Sequence, residues 1–495
     1  MRNIVIGTFL FVLWIYFWIK IHEPEVEYND TPPAPAVLID LDSIKSRGKL
    51  IALTRYNANS FFIYRGRAMG FEYELLQLFA RELGVELEMR IPRTQDSLFI
   101  LLENGGGDLI AANLAVTTEK SESILFSSHF NTMRQVLVQR LPDNFRFMNE
   151  RQRRAALVQD PIDLIGKTVT VPANSAFHHR LINLSREIGG EIIVNPTDIH
   201  DADELIAMVS RGEIEYTIAY ENSAELEKSF YRNIDVSVAI SFPQRVAWGF
   251  RHDSPQLAAA ADEWISRFRA NNNPTFNVIF NRYYRNPSFH NARRSSQFYV
   301  LETGAISPYD ALFKKHEKPP LIPWTLLASI AYQESRFDHS AVSWMGAQGL
   351  MQVMPGTALD MGFEDVVSCV ENNIRAGVRY LEFVHRHFWQ DMQDTSEMIK
   401  FMLASYNAGP GHVRDAQRLA ESLGLDPNIW DDNVAPTIRK LSNPEYFYRP
   451  EVRHGFCRGD EPFFYVREVL ARQRMYEGIL DAMATRRASE GVGGL

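Results

Sequence analysis

The stretch "GFEYELLQLFARELGVELEMRI", residues 70–91, changes its hydrophobic period halfway along, and that change sets the architecture of the first half of the chain. Phe71, Leu75, Leu78, Phe79 and Leu83 recur at three- and four-residue steps, one face of a helix. Gly84 follows as the left-handed stop that helices commonly use. From Val85 the period drops to two. Val85, Leu87, Met89 and Ile91 alternate with charged residues, the pattern of a strand. A helix passing directly into a strand predicts alternating α/β structure with a parallel sheet.

The flanking segments repeat this grammar. "GKLIALTRY" before it reads as a strand, and "GGGDLIAANLAV" after it as a turn into another apolar strand. Further on, "LIGKTVTVPANSAFHHRLINLSREIGGEIIV" again goes strand, helix, strand, and "ELIAMVSRGEIEYTIAYEN" repeats the helix–glycine–strand step. Two related units predict a bilobed α/β domain with a cleft between the lobes. The pieces "GKLIALTRYN", "GFEYELLQLFARELGV", "GGGDLIAANLAVTTEKSESILFSSHF" and "GKTVTVPANSA" resemble extracytoplasmic solute-binding proteins of the amino-acid-binding type, over residues 44–270. That resemblance implies an arginine for a ligand carboxylate and an acidic residue for its ammonium. Here Lys120 stands at the arginine position, a point charge without the planar fork. Glu215 or Glu221 falls at the acidic one. Lys120 and Glu221 are the cleft candidates, for a muropeptide or amino-acid-like ligand that regulates the second half; a solvated surface lysine is the alternative.

Composition sets the outer limits. A chain of 495 residues exceeds one typical domain, and 45% hydrophobic with 23% charged residues is ordinary for globular structure. A net charge of -9 argues against general nucleic-acid binding, which leaves a basic footprint. Residues 4–19 are uncharged and apolar between Arg2 and Lys20, with Trp14, Tyr16 and Trp18 where an interfacial belt would lie. At about 1.5 Å per residue this run is slightly short for a ~30 Å hydrocarbon core and long for a signal-peptide core. Residues 1–22 are therefore expected to be a signal peptide or membrane anchor, with everything after them outside the cytoplasm. "NDTPPAPAVLIDLDS" closes a proline-rich linker over 23–43. The two cysteines, Cys369 and Cys457, have no spacing that shows whether they pair. No Cys/His cluster has metal-ligand spacing, so neither metal nor cofactor is expected.

Beyond residue 270 the pattern shifts. "NNNPTFNVIFNRYYRNPSFHNARRSSQF" is polar, aromatic and basic, and reads as a helical end-piece and connector over 271–300. Helices dominate 301–485, and the residues ending "SEGVGGL", 486–495, read as a disordered tail. Within the helical half, "PWTLLASIAYQESRF" (323–337) places Trp324, Leu327, Ala328 and Ala331 on an apolar stripe whose next position is Glu334. Pro323 suits the first turn, and the helix is expected to end near Glu334 or Ser335. Burial and the negative end of the helix dipole both disfavour an ionised Glu334, while Arg336 opposes them if it reaches. A carboxylic acid kept protonated near neutral pH is what a general acid for glycosidic cleavage requires. A solvated glutamate at a helix end is the competing reading.

Three later pieces weigh against that reading. "MGAQGLMQVMPGTA" brackets a turn with Gly346 and Gly349, then leads Leu350, Met351 and Gln352 into an expected helical run. "FMLASYNAGPGHVRDA" sets Tyr406 and Asn407 at the end of an apolar helix, and "PFFYVREVL" supplies Tyr465 on a late one. In this order they resemble the lytic transglycosylase family of the soluble and goose-type lysozyme-like superfamily, over residues 307–480. The signatures are E-S at 334–335, G-L-M-Q at 349–352, "SYNAG" at 405–409 and Y-V at 465–466. Ser405 departs from the usual alanine and Pro462 from a common threonine, which puts the bonding around Tyr465 in question. The resemblance implies a mainly α, lysozyme-like domain acting on peptidoglycan glycan strands. It implies Glu334 as catalytic acid and base, with Ser335, Met351, Gln352, Tyr406, Asn407 and Tyr465 at the substrate. Cleavage between N-acetylmuramic acid and N-acetylglucosamine would leave a 1,6-anhydro end. It also implies a periplasmic, membrane-associated setting at the inner face of the outer membrane. Asp338, the acidic residue nearest in sequence, reads as a loop cap.

Overall fold

The structure, a computed structural model, describes residues 39–492 apart from 93–95, 200–201, 271–272, 297 and 301–303. The expected signal peptide or anchor at 1–22 and most of the linker lie outside the described residues. Among the described residues no helix is long and apolar enough to cross a membrane.

Order begins earlier than the composition suggests. Asp40 and Ser43 form a reciprocal capping box on the helix Leu41–Arg47, so the expected linker over 23–43 gives way to structure before its end. The Asp40 carboxylate also accepts the amides of Gln256 and Leu257, at 3.0 and 2.8 Å, tying this first turn to the helix Pro255–Arg269.

The first lobe is a five-stranded sheet in the order Glu86–Arg90, Lys49–Leu53, Leu109–Ile110, Gly249–Phe250, Leu125–Phe126. Its first three strands are parallel, with Lys49 opposite Glu86 and Leu53 opposite both Arg90 and Ile110. The helix Phe71–Leu83 stops on Gly84 at φ 73°, as its sequence predicts. It buries Phe71, Leu75, Leu76 and Phe79 in one core with Trp248 and Trp264. The second lobe repeats the plan with strands in the order Ile193–Thr197, Thr168–Pro172, Tyr216–Tyr220, Gln135–Arg140, Ile234–Asp235. Leu137, Val169, Val171, Leu181 and Ile218 fill its core. Where the chain passes between the lobes, Asn131–Met133 and Gln244–Val246 pair antiparallel.

Residues 271–300 are more than the expected connector. They hold two helices, Pro274–Tyr284 and Pro287–Arg294, and Ile279, Tyr283, Tyr284 and Tyr299 are buried in the first lobe's core. The reason is chemical: their aromatic rings supply the apolar area, and the basic residues pair inward. Arg294 donates to Glu227 at 2.6 Å, and Arg293 lies 4.2 Å over the Phe62 ring.

The second domain packs helices Trp324–Ser335, Val370–Val384, Thr395–Ala408, Pro410–Ser422 and Asp460–Val492 around one core. The last helix continues to Val492, so the described part of the tail expected over 486–495 is helical, where Ala, Arg and Glu favour continued helix; residues 493–495 lie outside the described residues. Cys369 and Cys457 are free thiols. One piece of the first lobe belongs to this core. Phe61, Ile63 and Ala68, on and beside the hairpin Phe62–Tyr64 and Arg67–Met69, are buried with the helices. At the hairpin turn the Gly66 carbonyl accepts the Tyr476 hydroxyl at 3.0 Å.

Candidate active site

The helix Trp324–Ser335 buries Leu326 through Ala331 and ends on Arg336, which takes the left-handed C-cap at φ 55°. Arg336 is exposed there, so it does not neutralise its neighbour. Glu334, one turn beyond the buried stripe, is half-buried. Desolvation pushes its pKa up to about 7, against the opposing pull of the Tyr465 hydroxyl. That hydroxyl donates to Glu334 Oε1 at 2.7 Å. Pro462 lies in the first turn of Asp460–Val492, where no intrahelical donor is needed, and leaves the bond intact.

The loop after Glu334 is held by backbone-directed side chains. Ser335 Oγ donates to Leu350 O at 2.9 Å, and Tyr406 donates to Met351 O at 2.7 Å. The expected helical run at 350–352 is instead a turn. Gln348 bridges both Val342 and Val353, Gln352 sits at φ 47°, and the next helix starts only at Pro355. Gln352 Nε2 donates to Ala341 O and Gly349 O, so its amide donors brace the loop and its carbonyl oxygen is left as an acceptor. Met351 is fully buried, which makes it a core residue whose carbonyl, not its side chain, serves the site. Asn407 is exposed beside Tyr406, and no hydrogen bond among the described residues joins it to Glu334.

Tyr406 and Tyr465 both have hydroxyls held well above the usual phenol range, first by burial and then by the nearby Glu334 charge. The three side chains therefore lie close enough to feel one another's charge. Asp338 is exposed and accepts from Ser340 N and Oγ at 2.9 and 2.6 Å, so it caps the loop as its sequence suggests. At the loop tip Trp344 is 81% exposed, with the Arg458 guanidinium 5.8 Å from its ring.

Several supporting residues have no sequence signal of their own. Asn373 accepts from Met351 N and donates to Gln348 O, both at 2.8 Å, clamping the glycine loop. Gly349 is required there: at φ 76° a Cβ would come within 2.4 Å of that amide. Ser405, the departure from alanine, accepts the buried Trp389 Nε1 at 3.0 Å.

In the first domain, Glu221 is paired with Arg134, and Lys120 lies in the short helix Thr118–Ser123. Glu215 is exposed at the opposite end of the strand Tyr216–Tyr220 from Glu221, which removes it as a cleft candidate.

Residues 311–428 match the family model for the transglycosylase SLT domain, and residues 50–286 that for bacterial extracellular solute-binding proteins, family 3. Fold, site and both matches define the class: a two-module lytic transglycosylase, an enzyme of the lyase type acting on peptidoglycan. The membrane-bound lytic murein transglycosylase F of Desulfosudis oleivorans is 34% identical over 428 residues, covering 86% of this chain and 89% of that protein. That of Stutzerimonas stutzeri is 31% identical over 444 residues, covering 89% and 86%. Among solved structures, the P235GK mutant of ArgBP from T. maritima aligns at 22% identity, covering 50% of this chain and 100% of that one, with a TM-score of 0.42. The chain belongs to the membrane-bound lytic murein transglycosylase F family.

Proposed function

We propose that Glu334 is the single acid–base group that cleaves the bond between N-acetylmuramic acid and N-acetylglucosamine in murein, leaving a 1,6-anhydro end. The observation that carries this is a half-buried carboxyl at a helix end, bonded to the Tyr465 hydroxyl and pushed up to about 7 by burial, with no neighbouring carboxylate among the described residues contributing to that shift. A retaining glycosidase would need a second carboxylate about 5–5.5 Å away, and Asp338 is occupied with Ser340 in the solvent. In the first step Glu334 protonates the bridging oxygen while the substrate's own acetamido group stabilises the cation. In the second, the Glu334 carboxylate takes the proton from the muramyl C6 hydroxyl, and that oxygen closes the ring. No water is consumed. Tyr465 supports the carboxylate stage, Tyr406 and Ser335 hold the loop that carries Gln352, and Trp344 offers an exposed ring to a sugar face.

Mass spectrometry of products from purified murein tests this: anhydro-muramyl ends are expected, and reducing ends would indicate hydrolysis through a bound water. The family-3 module is read as regulatory, with Lys120 and Glu221 meeting a muropeptide or amino-acid-like ligand, and the enzyme as periplasmic and membrane-associated. Calorimetry with such ligands tests the regulatory reading; no heat of binding from any of them would remove it.

A further inference from the structure

Behind the hairpin that joins the two domains lies a concavity of about 400 Å3, walled by the strand Arg67–Met69 and by the helices Phe71–Leu83 and Pro274–Tyr284. None of Lys120, Glu221 or Glu334 lines it. Arg67, Arg81 and Arg282 converge on it, with Glu74 as the carboxylate in the wall. Glu74 is already satisfied: both of its oxygens accept Arg282 Nη1, at 2.7 and 3.0 Å, and the Tyr283 hydroxyl donates to it at 2.5 Å. Arg282 and Glu74 therefore cancel. Arg67 and Arg81 have no carboxylate partner among the described residues, so the concavity carries two uncompensated positive charges on a chain of net charge -9.

We propose that this concavity binds a small acid with two carboxylates on a short aliphatic body. Walls that confine charges of one sign focus the field on an opposite charge, and planar guanidinium forks match carboxylate oxygens two at a time. Leu78, Ile279 and Ala68 offer apolar surface for the body between the two acids. Gln77 donates its amide to Tyr73, which turns that amide away from competing for the anion. A flat lipid surface fits this arrangement less well, because the lining comes from a strand and two helices around a concavity and not from one plane. The site is independent of the role given to Glu334.

The test is calorimetry of the full chain, detergent-solubilised, with glutarate as the probe and glutaramide, inorganic phosphate and phosphatidylglycerol vesicles as parallel arms. Glutarate is expected to bind saturably and glutaramide not at all. R67A/R81A should weaken glutarate at least tenfold, whereas K120A should not. The milder R67Q variant should show a smaller loss in the same direction, with an unchanged melting curve for both as the check on folding. Absence of glutarate binding, or binding indifferent to both arginines, overturns the proposal. So does arginine-dependent binding of phosphate or vesicles without glutarate, which would make the site one for phosphate groups.

Discussion

Glu72 in the first lobe and Glu334 in the helical domain are both glutamates that burial pushes up to about 7. Their settings differ in kind. Glu72 is fully buried at the start of its helix, accepts Asn113 N at 2.9 Å, and has the Ser60 hydroxyl as a further partner. It locks the first turn of Phe71–Leu83 to the loop after Leu109–Ile110, and nothing the size of a sugar can reach it. Glu334 is left half-open at a helix end and bonded by one tyrosine, with a braced loop in front of it. A raised carboxyl pKa thus marks burial. Only an open side and a mobile proton partner turn it into chemistry.

The contrast can be tested directly. E334Q should lower murein clearing by about a thousandfold or more, the scale of a lost general acid, with an unchanged circular dichroism spectrum. E72Q should keep activity within a few fold, and near-normal clearing by E334Q would reverse the two roles. Y465F is expected to cost roughly tenfold to a hundredfold. Because the Tyr465 hydroxyl lowers the Glu334 pKa, its removal should move the alkaline limb of the rate profile to higher pH. A limb that shifts downward would mean that Tyr465 stabilises the neutral acid.

Gly66→Ala probes the seam between the two regions. Its φ is +70°, and a Cβ there would lie 2.4 Å from Tyr332 and 2.6 Å from Phe337, on either side of Glu334 in the chain. Denaturant melts should show a loss of about 2–4 kcal/mol from overpacking and left-handed strain. The gentlest test is pH. Glu72 holds its proton in the folded state up to about 7 but releases it near 4.5 when unfolded. Wild-type stability should therefore fall between those values as pH rises, by on the order of 3 kcal/mol relative to E72Q, and level off above them. A difference that does not change with pH would put Glu72 in the ionised state throughout.

Much of this molecule was legible as periodicity. The helix ending on Gly84, the strand after it, and the stripe ending at Glu334 all follow from local spacing, because each element buries one face and its sequence must repeat at that element's pitch. Tyr406 and Tyr465 were found through their setting in short motifs. Gln352 reads as helical because its neighbours are apolar. The bridges from Gln348 to Val342 and Val353, which bend that segment, join residues on both sides of it. Asn373 carries no such signal, because a polar residue inside an amphipathic helix looks like its solvent face.

Local pattern alone determined where helices and strands form, that two α/β lobes precede a helical domain, and that a carboxyl would sit on an apolar stripe. Tertiary structure decided the partners. It gave Tyr465 to Glu334, turned Met351 into core, drew the hairpin around Gly66 into the neighbouring domain, and sealed Glu72 inside while leaving Glu334 half-open. Periodicity comes from each element's own backbone geometry, whereas a hydrogen bond spanning 131 positions exists only once the chain has packed.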